Sequence, residues 1–356
     1  MTEICTITKS PYGRLQDGRA VELYTLQNNR GMSVGIITYG GIITSLVCPD
    51  RDGQCDDVVL GFDALAPYET DSPYFGALIG RVGNRLADGR FELDAKPYQL
   101  ALNENGVSHL HGGECGFDKV LWQAESRITS DAAELALRYV SADGDQGYPG
   151  NLTVEVVYRL TGDNRLFAEY RATTDAPTPV NLTQHSYFNL AGKGDVLHHE
   201  LTLNAKAYTP IDQHLIPTGE IAPVANTPFD FRVAKKIGSE LDTSDAQLTL
   251  AGGYDHNFAV NQATAGELTR AARVHEPTTG RVLTLHTTAP GVQFYSGNFL
   301  DGSLQGKGRD FTHRSGFCLE PQHFPDAPNQ PNFADITLRP GEEYRSTLCF
   351  SFSTDT

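Results

Sequence analysis

The chain has 356 residues, and 28 Lys+Arg against 44 Asp+Glu leave a formal net charge of −16. That field repels polyanions, so nucleic acid is not an expected partner. No apolar stretch reaches membrane-spanning length, so a membrane is not expected either.

A chain this long suits two domains or one large all-β unit, and its core needs no staples. The six cysteines, Cys5, Cys48, Cys55, Cys115, Cys318 and Cys349, never fall in C-x-x-C spacing. Zinc and thioredoxin-type signatures are therefore missing. The opening Met1-Thr2-Glu3-Ile4-Cys5 shows no basic run followed by an apolar one. A cytoplasmic, soluble protein with free, buried thiols is expected.

Alternating apolar and polar residues predict strands over 20–26, 32–38 and 42–48, with a break at Tyr39-Gly40-Gly41. A turn at 49–53 leads to a short strand over 57–61. Residues 64–78 read as a short helix or loop. Gly80-Arg81-Val82-Gly83-Asn84-Arg85 follows, where glycines let the backbone bend and bring Arg and Asn side chains inward. A hairpin turn is expected at Asp94-Ala95-Lys96, and a tight turn at Leu110-His111-Gly112-Gly113. Four antiparallel strands are read over 120–127, 134–140, 152–160 and 166–173, with Gly- and Asp-rich connections.

The stretch Asn181-Leu182-Thr183-Gln184-His185-Ser186-Tyr187-Phe188-Asn189-Leu190 reads as a strand of unusual chemistry. One alternate set (Leu182, Gln184, Ser186, Phe188, Leu190) suits a core. The other (Asn181, Thr183, His185, Tyr187, Asn189) offers amides, a hydroxyl, an imidazole and a phenol. Asn is depleted in strands, so two on one face suggest a role other than packing. Such a face suits a small polyhydroxylated ligand, or it is a solvated face with one ordinary histidine.

Beyond it, Lys235 to Leu241 reads as a helical turn or two. Tyr254-Asp255-His256-Asn257-Phe258 opens a strand. Residues 271–275 and 281–288 pair around Pro277-Thr278-Thr279-Gly280. Strands follow at Pro290-Gly291-Val292-Gln293-Phe294-Tyr295, at Gly316-Phe317-Cys318-Leu319-Glu320 and at 344–351. No helical pattern rivals these, and no fixed short repeat occurs. The fold class is all-β: a large antiparallel β-sandwich in one domain, residues 1–356.

Two tempting signals fail. Gly302-Ser303-Leu304-Gln305-Gly306-Lys307-Gly308 has three residues between its first glycines where a phosphate loop needs four, and Gly308 replaces the magnesium-binding hydroxyl. His109 with His111, and His198 with His199, lack a third metal ligand nearby in sequence.

Six of the quoted motifs, in order, resemble the aldose 1-epimerases, or galactose mutarotases. They are Gly80–Leu86, Leu110–Gly113, Asn181–Leu190, Tyr254–Phe258, Pro290–Tyr295 and Gly316–Glu320. The resemblance spans nearly the whole chain, including Asn329–Phe333 and Arg339–Glu342. It implies a sugar cleft on one sheet and anomer exchange of a free aldohexose, without cofactor or metal. Carried over, His185 would be the general acid and Glu320 the general base. Arg85, His111, Asp255 and Gln293 would hold sugar hydroxyls. Asn84 and Tyr187 would line the cleft, and Phe294 would pack on the ring face. A monomer or weak homodimer is expected.

The chemistry fits those residue types. Ring opening needs a base for the C1 hydroxyl proton and an acid for O5, each with a pKa near the working pH. Histidine meets this unperturbed. Glutamate meets it when burial raises its pKa. A related enzyme for hexose 6-phosphates would need further cations around the phosphate. A sugar-binding module would need no acid–base pair, and a glycosidase would want two carboxylates across the bond.

Overall fold

The structure, a computed structural model, describes residues 4–70, 72–241 and 244–355. Met1–Glu3, part of the segment read as lacking an export signal, and Asp71, within the predicted helix-or-loop segment, lie outside the described residues. Among the described residues no helix is long and apolar enough to cross a membrane.

Three antiparallel sheets carry the architecture. A five-stranded sheet runs in chain order through Cys5–Arg14, Ala20–Asn28, Ser33–Ile37, Ile43–Pro49 and Cys55–Asp57. The first of these strands has no sequence expectation behind it. It is an edge strand, and its register shifts between Pro11 and Gly13. Proline and bulges are tolerated at edges, where half the backbone groups lack a ladder partner, and they obscure alternation.

A nine-stranded sheet begins with the four predicted strands, now Gln123–Ile128, Ala132–Ser141, Leu152–Thr161 and Arg165–Thr174. It continues through the closing strand Tyr344–Thr354, then Arg281–Thr287, Thr269–His275, Glu200–Leu203 and Lys235–Lys236. The hairpin expected around Pro277–Gly280 is present. So is the one at Asp94–Ala95, between Arg90–Leu93 and Lys96–Gln99. Among the described residues of 64–78 one short helix forms, Ala66–Thr70.

A six-stranded sheet is ordered Tyr187–Phe188, Phe317–Gln322, Gly291–Tyr295, Asp255–Val260, Ala205–Thr209, Ala222–Pro223. One apolar cluster joins it to the nine-stranded sheet: Phe258, Phe294 and Leu319 from the former meet Leu283, Leu348 and Phe350 from the latter. Each large side chain fully buried there contributes roughly 1.5–3 kcal/mol. The opposite face of the six-stranded sheet is thus left to carry polar groups.

Free thiols are found throughout, but not all are buried as expected: Cys55 and Cys115 are exposed, and the other four are buried.

Candidate active site

Alternation along three neighbouring strands builds the floor. Phe317 and Leu319 belong to the core, so Cys318, Glu320 and Gln322 share the other face. Val292 and Phe294 take the core side of the next strand, leaving Gln293 and Tyr295 opposite. On the third, Phe258 is core, and His256 packs edge-on against Tyr208 and Phe229. Asp255 and Asn257 remain on the polar face. Register aligns Tyr187, Cys318, Tyr295 and Asp255 in one row across the sheet, and Glu320, Gln293 and Asn257 in the next.

Loops and short strands close over this floor. Thr183–His185 pairs with Ala77–Ile79 and delivers His185. Arg85–Ala87 pairs with Ser108–Leu110 and places Arg85 opposite Leu110. His111 follows that strand with φ 53°. Gly112 must be glycine: a Cβ there would lie 1.8 Å from the Gly80 carbonyl oxygen.

These elements enclose a cavity of about 270 Å³. Its lining includes His185, Glu320, Asn84, Arg85, His111, Tyr187 and Asp255. Glu320 Oε2 lies 3.5 Å from His185 Nε2. Glu320 is 2% exposed, and its Oε2 has no hydrogen-bond partner in the protein. Burial and the neighbouring Asp255 push the Glu320 carboxyl well up, against a smaller pull from Arg85. Burial pushes His185 down to about 4. The imidazole sits between the Tyr74 and Tyr187 rings, with centroids at 5.7 and 5.1 Å. Its Nδ1 is 3.6 Å from Cys318 Sγ.

His111, Nδ1 accepting from the Asn84 N–H at 3.1 Å, keeps its proton on Nε2 and acts as a donor. It is buried, and burial followed by His185 lowers its pKa well below the usual value. His111, His185 and Glu320 bring ligand-type atoms within 4.8 Å of one another. The His111 tautomer does not suit metal binding there, because its remaining ring nitrogen carries a proton and has no lone pair to offer.

Not every expected residue reaches the cavity. Phe294 is a correction: it packs with Phe231 and Tyr254 in the core, centroids 5.6 and 5.3 Å away, and cannot touch a sugar. Its neighbour Gln293 takes the polar face, and adjacent strand residues cannot share one. Gln293 sits one layer behind the lining and donates to Asp255 Oδ1 at 2.7 Å.

The unusual stretch breaks into two short strands, Thr183–His185 and Tyr187–Phe188, on different partners. Of its polar set only His185 and Tyr187 line the cavity. Asn181 instead bonds the His323 backbone, and Asn189 donates to Gly194 and Ser315 carbonyls. Arg81 is also structural: its guanidinium is buried and donates to the carbonyls of Pro149, Gly150 and Ser141.

Glu104, Tyr74 and Tyr295 line the cavity without having been singled out in sequence. Glu104 binds Arg85 through Nη2 at 2.6 Å and Nε at 2.8 Å. Asn105-Gly106, just after it, was a usable signal, since Asn-Gly marks a tight turn between strands.

A buried carboxyl–imidazole pair over a cavity lined by hydrogen-bonding groups, on an antiparallel β-sandwich, suits acid–base chemistry on a small polyhydroxylated substrate. The aldose 1-epimerase family profile matches residues 22–351. Galactose mutarotase of Sus scrofa is 49% identical over 352 residues, covering 98% of this chain and 99% of that one. Aldose 1-epimerase of Escherichia coli is 41% identical over 339 residues, covering 94% and 96%. The crystal structure of galactose 1-epimerase from Lactobacillus acidophilus superposes with a TM-score of 0.86 at 28% identity, covering 99% of each chain. The chain belongs to the aldose 1-epimerase family.

Proposed function

We propose that this protein interconverts the α and β anomers of free hexoses such as D-galactose and D-glucose, with His185 and Glu320 as its acid–base pair. The observation that carries this reading is the 3.5 Å approach of Glu320 Oε2 to His185 Nε2 at the wall of the cavity. A sugar held there by Arg85, His111 and Asp255 has its C1 hydroxyl and ring oxygen within reach of both groups. Asn84 and Tyr187 line the same cleft, and Gln293 acts through Asp255.

Glu320 takes the C1 hydroxyl proton and His185 protonates O5 as the C1–O5 bond breaks. The open aldehyde turns about C1–C2, and closure returns both protons with the roles exchanged. Only protons move, so the reaction as written calls on no cofactor. Burial favours the neutral pair, with the shared proton resting on Glu320. Hydroxyl donors from the sugar stabilise the carboxylate and shift that proton toward His185. Because closure exchanges the roles, both microstates lie on the same path. Each positioned group contributes about 10²- to 10⁴-fold. The reading includes a cytoplasmic, monomeric or weakly dimeric protein.

Polarimetry on freshly dissolved α-D-galactose with a chelator present tests this. Rotation is expected to settle faster, to the same final value; an unchanged time course would overturn the proposal.

A further inference from the structure

Glu104 opens a hydrogen-bonded turn. Its N–H donates to the Ser108 carbonyl at 3.1 Å, the Ser108 N–H returns to its carbonyl at 3.3 Å, and Asn105 and Gly106 take left-handed φ values of 51° and 68°. Ser108 Oγ donates to Glu104 Oε2 at 2.5 Å. With the turn and the carboxylate both fixed, Glu104 grips Arg85 through two parallel bonds. Arg85 Nη1 faces Asp255 Oδ2 at 3.9 Å.

The cavity lining thus holds one guanidinium among the carboxylates Glu104, Asp255, Asp301 and Glu320. We propose that Glu104 is a positioning residue that both aims Arg85 and takes up its charge, so that Glu320 faces a neutralised cation and stays a strong enough base. This rests on the reading of Glu320 as general base.

Without Glu104, Arg85 keeps only the 3.9 Å approach of Asp255, and an Arg so weakly paired beside a carboxylate lowers that carboxylate's pKa and makes it a poorer base near neutral pH. The groups that face Glu320 are Arg85, Asp255, His185 and His111 from other elements, Cys318 on its own strand, and Tyr187 and Tyr295 on the adjacent strands. Arg85 alone among them is a permanent cation. Tyr74 and Asp255 face Glu104 from elsewhere, and neither replaces its bidentate bond.

The test is the acid limb of the kcat/KM against pH profile for galactose anomer exchange, which reports the Glu320–His185 pair falling to its single shared proton. Glu104→Gln keeps the shape and one acceptor but removes the charge; the limb is expected to move down by about one pH unit or more. Glu104→Asp should restore it toward wild type. Arg85→Gln should move the limb up, and the double variant E104Q/R85Q should fall between the two single ones. A folded E104Q whose limb does not move overturns the proposal. If E104Q does not fold, the double variant against R85Q decides it: a limb no lower than that of R85Q has the same meaning. Glu320→Gln is run alongside. Full activity in E320Q would remove the general-base reading itself, whereas an inactive E320Q with an unmoved E104Q limb would remove only the role of Glu104.

Discussion

Glu320 Oε2 and His185 Nε2 stand 3.5 Å apart with both side chains under a tenth exposed, yet they come from strands more than 130 residues apart in sequence. The strand carrying Glu320 pairs with Tyr187–Phe188, which begins two residues after His185, and this pairing sets the approach. Glu320→Gln and His185→Asn are each expected to lower kcat by about 10²- to 10⁴-fold while galactose still binds. The double variant should lose little more than the worse single one, because the two act as a unit. Equilibrium binding by calorimetry beside polarimetric rates checks both statements.

Adjacent residues on one strand separate packing from binding. Phe294→Ala removes a fully buried ring from the core and should cost about 3–5 kcal/mol of stability. Activity per folded molecule should be unchanged. Gln293→Ala removes the 2.7 Å donation to Asp255 and should raise KM about tenfold, from the loss of roughly 1.5 kcal/mol, at modest stability cost. Denaturation curves and steady-state kinetics on the pair distinguish the two roles.

Phosphorylated sugars are expected to be poor substrates. Four carboxylates line the cavity against Arg85. Arg81, the other arginine of that motif, is spent on backbone carbonyls, and Lys307 donates to Asp57 and the Val59 carbonyl. Like-charge contacts cost several kcal/mol, so galactose 6-phosphate should show kcat/KM at least about tenfold below galactose. Direct comparison of the two by polarimetry settles it.

Acid should unfold the protein through its buried histidines. Burial lowers His185 and His199 to about 4 and His256 to about 3. A folded pKa below the unfolded value means that the unfolded chain binds more protons, so stability falls as pH falls. The stability is complete above about 6.5 and is lost progressively between there and the folded values. His185 and His199 each account for roughly 3 kcal/mol across that window, and His256 for roughly 5 kcal/mol. Glu320 acts oppositely: its raised pKa favours the folded state at low pH and withdraws that favour as pH rises above about 4.3. Burial lowers His109, His111 and His323 as well, and raises Asp118, Asp255 and Asp326 alongside Glu320; the histidines outnumber these carboxyls, so scanning calorimetry from pH 7 to pH 4 should show a net fall in Tm.

Gly112→Ala should disrupt the turn that aims His111. The added Cβ meets the Gly80 carbonyl and φ is 89°. A loss of about 3 kcal/mol or more is expected, with activity falling alongside. Urea titration with a parallel activity assay measures both.

What the sequence determined by itself was the period of its patterns. Alternation marked most of the long strands, and motif order carried the family, because two-residue periodicity is local and survives without knowledge of partners. The motif placed Gln293 and Phe294 together in the cleft, whereas alternation along one strand puts them on opposite faces. Which face of a strand met the core was a tertiary decision: Phe294 entered the sheet-to-sheet layer because Phe231 and Tyr254 stood opposite it. Polar residues were hardest to assign. Asn181 and Asn189 resembled ligand contacts, but buried backbone groups of distant loops claimed them, since a buried carbonyl or N–H must be paired. Glu104 acquired its role only through Arg85, whose strand pairs with Ser108–Leu110 at the far end of the same turn. Long-range register decides such meetings, and register is fixed by the packing of whole sheets, which no local pattern records.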